Sequence, residues 1–455
     1  MKNLGEFGLA AVLLFGLAAW QHLSCVEAAG GPGESENGPY RVLAPIESGN
    51  LTLFPVVRAD QKSTAETPFI TLDEGLKSGE VGVTEAGRAR GLVRPRGTVG
   101  APPYGRDGGS WEGVEPQNYN RGDEVNTLVL VNHSKRPLLL LAGEVVTGGK
   151  QDRIVAKDRI VPADADPIDL SVFCIEPGRW TESSAVFGTS NKSLAHSFMV
   201  QPAVRERAMV DQDQQRVWDS VHGAIAQMEA AAPPASAGGV GGTFENGQAA
   251  GLGTTSYAKV MQSAPVEEKV DEAAAPVMKA REEVLTKLRD EHAVGVVVAV
   301  RGEIVWADLF ASTDLLARYW TKLVRSYAAE SLTEGENRSA PSVADAEHFL
   351  DMPSDGTENS EGEVGIYRYR ELKSGSTETF VLQSLLPHTG YDVHISKMKL
   401  IGEARRVPRP HPIRPHRVYP EPDGQPPTNP SPIIPDPIYE PQAFHPGIFD
   451  PQMER

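Results

Sequence analysis

The stretch "VNTLVLVNHSKRPLLLLAGEVVTGGKQDRIVAKDRIVPADADPIDLSVFCIE", residues 125–176, holds four apolar runs of strand length, at 125–132, 137–146, 153–161 and 168–176. Turn-forming Gly, Pro, Asn, Asp and Ser separate them, the signature of a β meander. Leu138 to Leu141 is apolar without interruption, which predicts a strand covered on both faces. In the last run Ile168, Leu170, Val172 and Cys174 alternate onto one face, so Cys174 is expected to be a small buried hydrophobe.

Toward the N-terminus, 40–59 and 69–87 read as strands flanking a short helix near Leu72 to Lys77, and 88–122, rich in Gly, Arg and Pro, reads as a loop. Toward the C-terminus, Val210, Val217, Val221 and Ile225 recur at helical spacing, predicting one amphipathic helix after Pro202. The Ala, Gly, Pro and Ser composition of 231–253 predicts a linker. Helix, strand, an Arg301-Gly302 turn, strand and helix follow. Leu315, Leu316, Tyr319, Trp320, Leu323, Val324 and Tyr327 make one apolar stripe behind a Ser312 or Thr313 cap. An acidic, Ser-rich break at 331–361 precedes three strands joined by Gly turns. Fifteen of the 36 prolines fall in 407–455, which makes 403–455 an extended, polyproline-like tail. The expected fold is α+β: an antiparallel, β-rich body with packed helices, forming one domain over 40–402 interrupted by loops at 88–122, 231–253 and 331–361.

The N-terminus combines Lys2, an apolar run from Phe7 to Trp20 and small residues at Val26-Glu27-Ala28, the pattern of a signal peptide over 1–28. Export to a periplasmic or extracellular space is expected, with lipid anchoring at Cys25 as the rival, and no transmembrane segment is expected in the mature chain. Cleavage after Ala28 removes Cys25 and leaves Cys174 as the only thiol, so no internal disulfide can form. The formal net charge of -17 opposes nucleic acid and anionic membranes as general partners, while local basic patches still allow small anions.

Enzyme signatures fail in turn. Gly149-Lys150 resembles the end of a phosphate-binding loop, but Glu144 replaces its first glycine and Gln151 its Ser or Thr, and a strand follows instead of a helix. No G-x-S-x-G elbow and no H-E-x-x-H pair occurs, so neither a metal site nor a cofactor is expected. The ordered set "LVLVNHSKRPLLLLAGEVVTGGKQDRIV", "FCIEPGRW" and "QQRVWDSV" resembles the bacterial ARG and rhodanese-phosphatase-superfamily-associated protein domain over roughly 40–401. That name implies association with ADP-ribosylglycohydrolase and phosphatase-like proteins and carries over no reaction and no catalytic residue.

Two turns of the meander carry the candidate chemistry. Gly148-Gly149 can expose backbone N–H groups, with Lys150, Gln151 and Arg153 beside them, and "EPGRW" brings Glu176, Arg179 and Trp180. Together they suit a small anionic or ADP-ribose-like ligand on a binding domain. A secreted hydrolase of a nucleotide-sugar or phosphoester, with Glu144 or Glu176 as general base, is the second reading. A third, purely structural one pairs Glu144 and Glu176 with Arg153 and Arg179 to pin the turns. Oligomeric state is not legible. For export, mass spectrometry of the mature chain is expected to find Ala29 at the N-terminus. A lipidated Cys25 would support the rival, and an intact Met1 on cytoplasmic protein would exclude both.

Overall fold

A computed structural model describes residues 39–58, 68–91, 125–232, 253–291, 293–332, 339–352 and 355–400. The expected signal peptide, the tail at 403–455, most of the 88–122 loop and 233–252 lie outside them.

The chain is α+β. It begins with β1 (Tyr40–Val42), β2 (Ile46–Ser48), β3 (Leu51–Arg58), β4 (Ile70–Thr71), α1 (Leu72–Ser78) and β5 (Val81–Glu85). The central region holds β6 (Thr127–Asn132), β7 (Leu138–Leu140), β8 (Val145–Thr147), β9 (Arg153–Val155), β10 (Arg159–Val161), β11 (Ile168–Cys174) and β12 (Gly188–Thr189). Helices α2 (Pro202–Glu206), α3 (Gln214–Ala231), α4 (Tyr257–Met261) and α5 (Ala264–Glu291) come next. Then follow β13 (Ala293–Val300), β14 (Glu303–Phe310), α6 (Thr313–Ser331), α7 (Val343–Leu350), β15 (Thr357–Glu363), β16 (Tyr367–Ser374), β17 (Thr377–Ser384) and β18 (Asp392–Lys399).

The largest sheet runs β1-β3-β13-β14-β18-β17-β16-β15, with β2 also on β3. Its centre is β13, AVGVVVAV, buried along its whole length because both faces are covered. Val296 and Val298 point to the face under α5 and α6, and Val297 and Ala299 to the face under α7. The Arg301-Gly302 turn behind β13 has positive φ at both residues (51° and 76°), as a two-residue hairpin requires. Ser312 caps α6 by accepting a hydrogen bond from the Leu315 amide, and the whole expected stripe of this helix is buried.

The central region is less simple than a meander. Six strands pair as β12-β8-β9-β11-β6-β5, while β7 and β10 leave to form a separate sheet with β4. The chain turns out of plane after Leu141 through Gly143, whose φ is 84° and where a Cβ would meet the Arg205 side chain at 2.4 Å. Leu138 to Leu141 is fully buried. The helix expected after Pro202 is two helices. A π turn at Arg207–Asp211 and a left-handed Gln212 (φ 52°) separate α2 from α3, which restarts on an Asp213 cap. Within 331–361, read as a break, stand α7 and most of β15. A Ser342–Asp345 capping box starts α7, and the all-polar β15 is held by pairing with β16, so no alternating pattern marks it in sequence.

A fully buried polar cluster joins these layers. Arg205 of α2 grips Asp308 of β14 at 2.9 and 3.2 Å and donates to the Ala142 carbonyl. His394 of β18 contacts Asp158 at 2.6 Å and Asp308 at 3.2 Å, and Tyr327 and Ser396 donate to Asp308. Burial opposes the imidazolium, but the two carboxylates outweigh it and raise His394 to about 9. A pKa raised from about 6.5 gives stability that is complete below that value and lost as pH climbs through about 9, worth roughly 3 kcal/mol in all. Denaturant unfolding at pH 6.5, 8 and 9.5 is expected to show this decline, and His394→Gln to be less stable with a flatter profile. A wild type as stable at pH 9.5 as at 6.5 would contradict it.

Candidate functional site

The β8–β9 hairpin ends in Gly148-Gly149-Lys150-Gln151-Asp152. Gly148 and Gly149 have φ of 127° and 51°, and a Cβ on Gly149 would lie 2.2 Å from the Phe187 ring, so backbone conformation and space both demand glycine there. Three amides of the turn have internal acceptors: Gly148 donates to Asp152 (3.0 Å), Gly149 to Ser184 (3.2 Å) and Lys150 to Glu85 (2.8 Å).

The second turn follows β11 and docks on the first. Arg179 pairs with Glu176 at 2.5 Å, approaches Asp152 at 3.5 Å and donates to the carbonyls of Gly149 (3.1 Å) and Thr181 (2.7 Å). Glu176 also accepts from the Asp152 amide (3.1 Å) and Lys259 (3.0 Å), and its own carbonyl accepts from Gln151 (3.2 Å). Burial pushes the Glu176 carboxyl up, but hydrogen bonds from Arg179 and Lys259 outweigh it and hold it below its ordinary value. Burial, reinforced by the Glu176 charge, raises Asp152. Trp180 lies half-buried, with Lys150 Nζ 5.0 Å and Arg153 Cζ 5.9 Å from its ring centroid, a cation–π arrangement on the first turn's cations.

Arg153 is the exceptional side chain. It is fully buried, its Nε donates to the Val125 carbonyl at 2.8 Å, and Nη1 and Nη2 have no hydrogen-bond partner among the described residues. Burial lowers its pKa against the pull of Cys174, Glu85 and Asp152. Cys174 is its cross-strand partner.

Glu144 is not part of this assembly. It is sealed under α6, accepting from Lys322 at 2.6 Å and from the Leu141 amide at 2.8 Å, while Lys322 also binds Asp73 at 3.0 Å. Of the two ion pairs expected to pin the turns, Glu176–Arg179 forms, whereas Glu144 takes Lys322 in place of Arg153, because the chain bends at Gly143 between them. Burial raises Glu144 despite the lysine.

Sequence reasoning missed Asp152, Glu85, Ser256, Lys259 and Trp218. Ser256 donates to Asp152 at 3.0 Å and, like Lys259, comes from beyond the 233–252 segment, so no local spacing could reveal either. Trp218 had a signal, since it lies in "QQRVWDSV". In that motif Gln214 bridges both backbone groups of Cys174 (2.9 and 3.0 Å), and Trp218, one helical turn on, presents its indole to the Cys174 thiol. All three ordered motifs thus meet at Arg153 and Cys174.

A family model described as the ARG and Rhodanese-Phosphatase-superfamily-associated Protein domain matches residues 39–398. The chain belongs to this family. No curated protein and no solved structure matches it. Among the described residues no helix is long and apolar enough to cross a membrane, and no group of three or more His, Cys, Asp or Glu could hold a metal ion.

Cys174 is fully buried, and that burial, only partly offset by Arg153, raises its pKa, so the reactive thiolate is disfavoured. A thiol reagent is expected to label Cys174 only on unfolding. Stoichiometric labelling of the folded protein within minutes would show an accessible thiolate instead.

Proposed function

We propose that this protein is an exported binding module whose two joined turns recognise a small anionic, sugar-phosphate-like ligand. Export rests on the N-terminal sequence. Recognition rests on one observation above all: the buried Arg153 guanidinium has two nitrogens without a partner among the described residues, where Lys150, Arg179 and Trp180 converge. A buried charge is ordinarily paired, and an unmatched guanidinium fork suits the oxygens of an oxoanion. Half-buried Trp180 offers a face for a sugar or planar ring.

The hydrolytic alternative has weaker support. Glu176 has both oxygens engaged by cations and an amide, with its pKa lowered, which suits an anchor better than a general base near neutrality. Glu144 is sealed against Lys322.

Calorimetric titration with ADP-ribose and simple phosphates, beside melting curves, tests the proposal. A charge-assisted contact is worth roughly 1.5 to 3 kcal/mol, so Lys150→Ala is expected to weaken binding by about ten- to a hundredfold with little change in Tm. Arg179→Ala is expected to lower both affinity and Tm, because its guanidinium also clasps Glu176. Variants that melt lower yet bind as well as the wild type would make the turns a structural clasp alone.

A further inference from the structure

Among the buried donors that lack an acceptor, four gather around one residue. Besides Arg153 Nη1 and Nη2, the buried atoms Trp218 Nε1 and Arg179 Nε have no nitrogen or oxygen hydrogen-bond partner among the described residues. They come from β9, α3 and the turn after β11, and all three side chains address one neighbour. Arg153 faces Cys174 across the strand pair, Arg179 lies within electrostatic reach of the same sulfur, and the Trp218 indole N–H is turned toward it. A neutral thiol is a weak acceptor and cannot satisfy three charged or polar donors.

Resting on the binding reading above, we propose that this cluster seats the terminal phosphate of a sugar phosphate monoester, with Arg153 as its fork and Trp218 Nε1 and Arg179 Nε as flanking donors. Three features select that class. The donors approach from separate elements, so acceptors must be spread in three dimensions, as the three terminal oxygens of a tetrahedral phosphate are and the two coplanar oxygens of a carboxylate are not. Arg153 is fully buried, so an anion seated on it must enter end-on as the covering side chains move aside, and an internal diphosphate carrying bulk on both sides cannot. The amides of Gly148, Gly149 and Lys150, engaged by Asp152, Ser184 and Glu85, leave the anion to side chains. The sugar then lies toward half-buried Trp180, beside Lys150.

Titration of the full chain with inorganic phosphate, ribose 5-phosphate and ADP-ribose decides it. Phosphate and ribose 5-phosphate are expected to bind, ADP-ribose at least about tenfold more weakly than ribose 5-phosphate. Trp218→Phe keeps an aromatic ring and removes the N–H. It is expected to weaken phosphate about three- to tenfold with Tm held, and Arg153→Lys to weaken it about tenfold or more. Phosphate binding indifferent to Trp218→Phe, or ADP-ribose bound as tightly as ribose 5-phosphate, overturns this seat. If Lys150→Ala still weakens that binding, the turn-face reading survives. No binding of any of the three by the wild type removes both, leaving water as the partner of the orphaned donors.

Discussion

Asp308 is the point on which the layers of this fold depend. Its carboxylate, wholly out of water, takes a two-point grip from Arg205 of α2, hydrogen bonds from Tyr327 of α6 and Ser396 of β18, and an ion pair with His394. Burial alone would neutralise it, but Arg205 and His394 hold it far below the usual carboxylate range. His394 passes the connection to Asp158, which accepts from the Ala142 amide, and Arg205 reaches the Ala142 carbonyl. The large sheet, the small sheets and the helices between them are thereby fixed in one register. Removing one member leaves a buried partner charge uncompensated, which typically costs about 3–5 kcal/mol.

The paired turns follow a related logic at the other end of the β8–β9 hairpin. Glycines at 148 and 149 let the backbone close against Phe187 and Ser184, and the amides so exposed are claimed by side chains of the same body. Glu176 then acts as a hub, accepting from Arg179, Lys259 and the Asp152 amide. The amides of Gly148, Gly149 and Lys150 are engaged, whereas Arg153 keeps two nitrogens without a partner among the described residues, so most of the unmet hydrogen-bonding capacity of the clasp lies in one guanidinium. Rigid support from paired strands and a short cross-linked turn is the environment in which such a group can be held unpaired.

Much of the architecture could be read from the chain because it rests on local physics. The apolar stripe of α6, the Ser312 cap, the Arg301-Gly302 hairpin, the short α1 and the continuously apolar Leu138 to Leu141 are each dictated by periodicity or turn chemistry within a few residues. By contrast, the separation of β7 and β10 into their own sheet depends on Gly143 turning the chain against Arg205, sixty-two positions away. The strand β15 carries no apolar alternation because it is an exposed edge, and only its partner β16 makes it a strand.

The site divides the same way. Sequence alone determined that Gly148, Gly149, Lys150, Gln151 and Arg153 share one turn and that Glu176, Arg179 and Trp180 share another, since adjacency along the chain fixes both. Tertiary structure decided that the turns dock on each other, that Glu144 belongs to Lys322 and that Glu176 is held by Lys259. It also brought Trp218 and Gln214 from α3 onto Cys174. The physical reason is that a buried polar group takes its state from whichever partners the packing delivers, and those partners lie tens to hundreds of residues apart in a chain whose local pattern is blind to them.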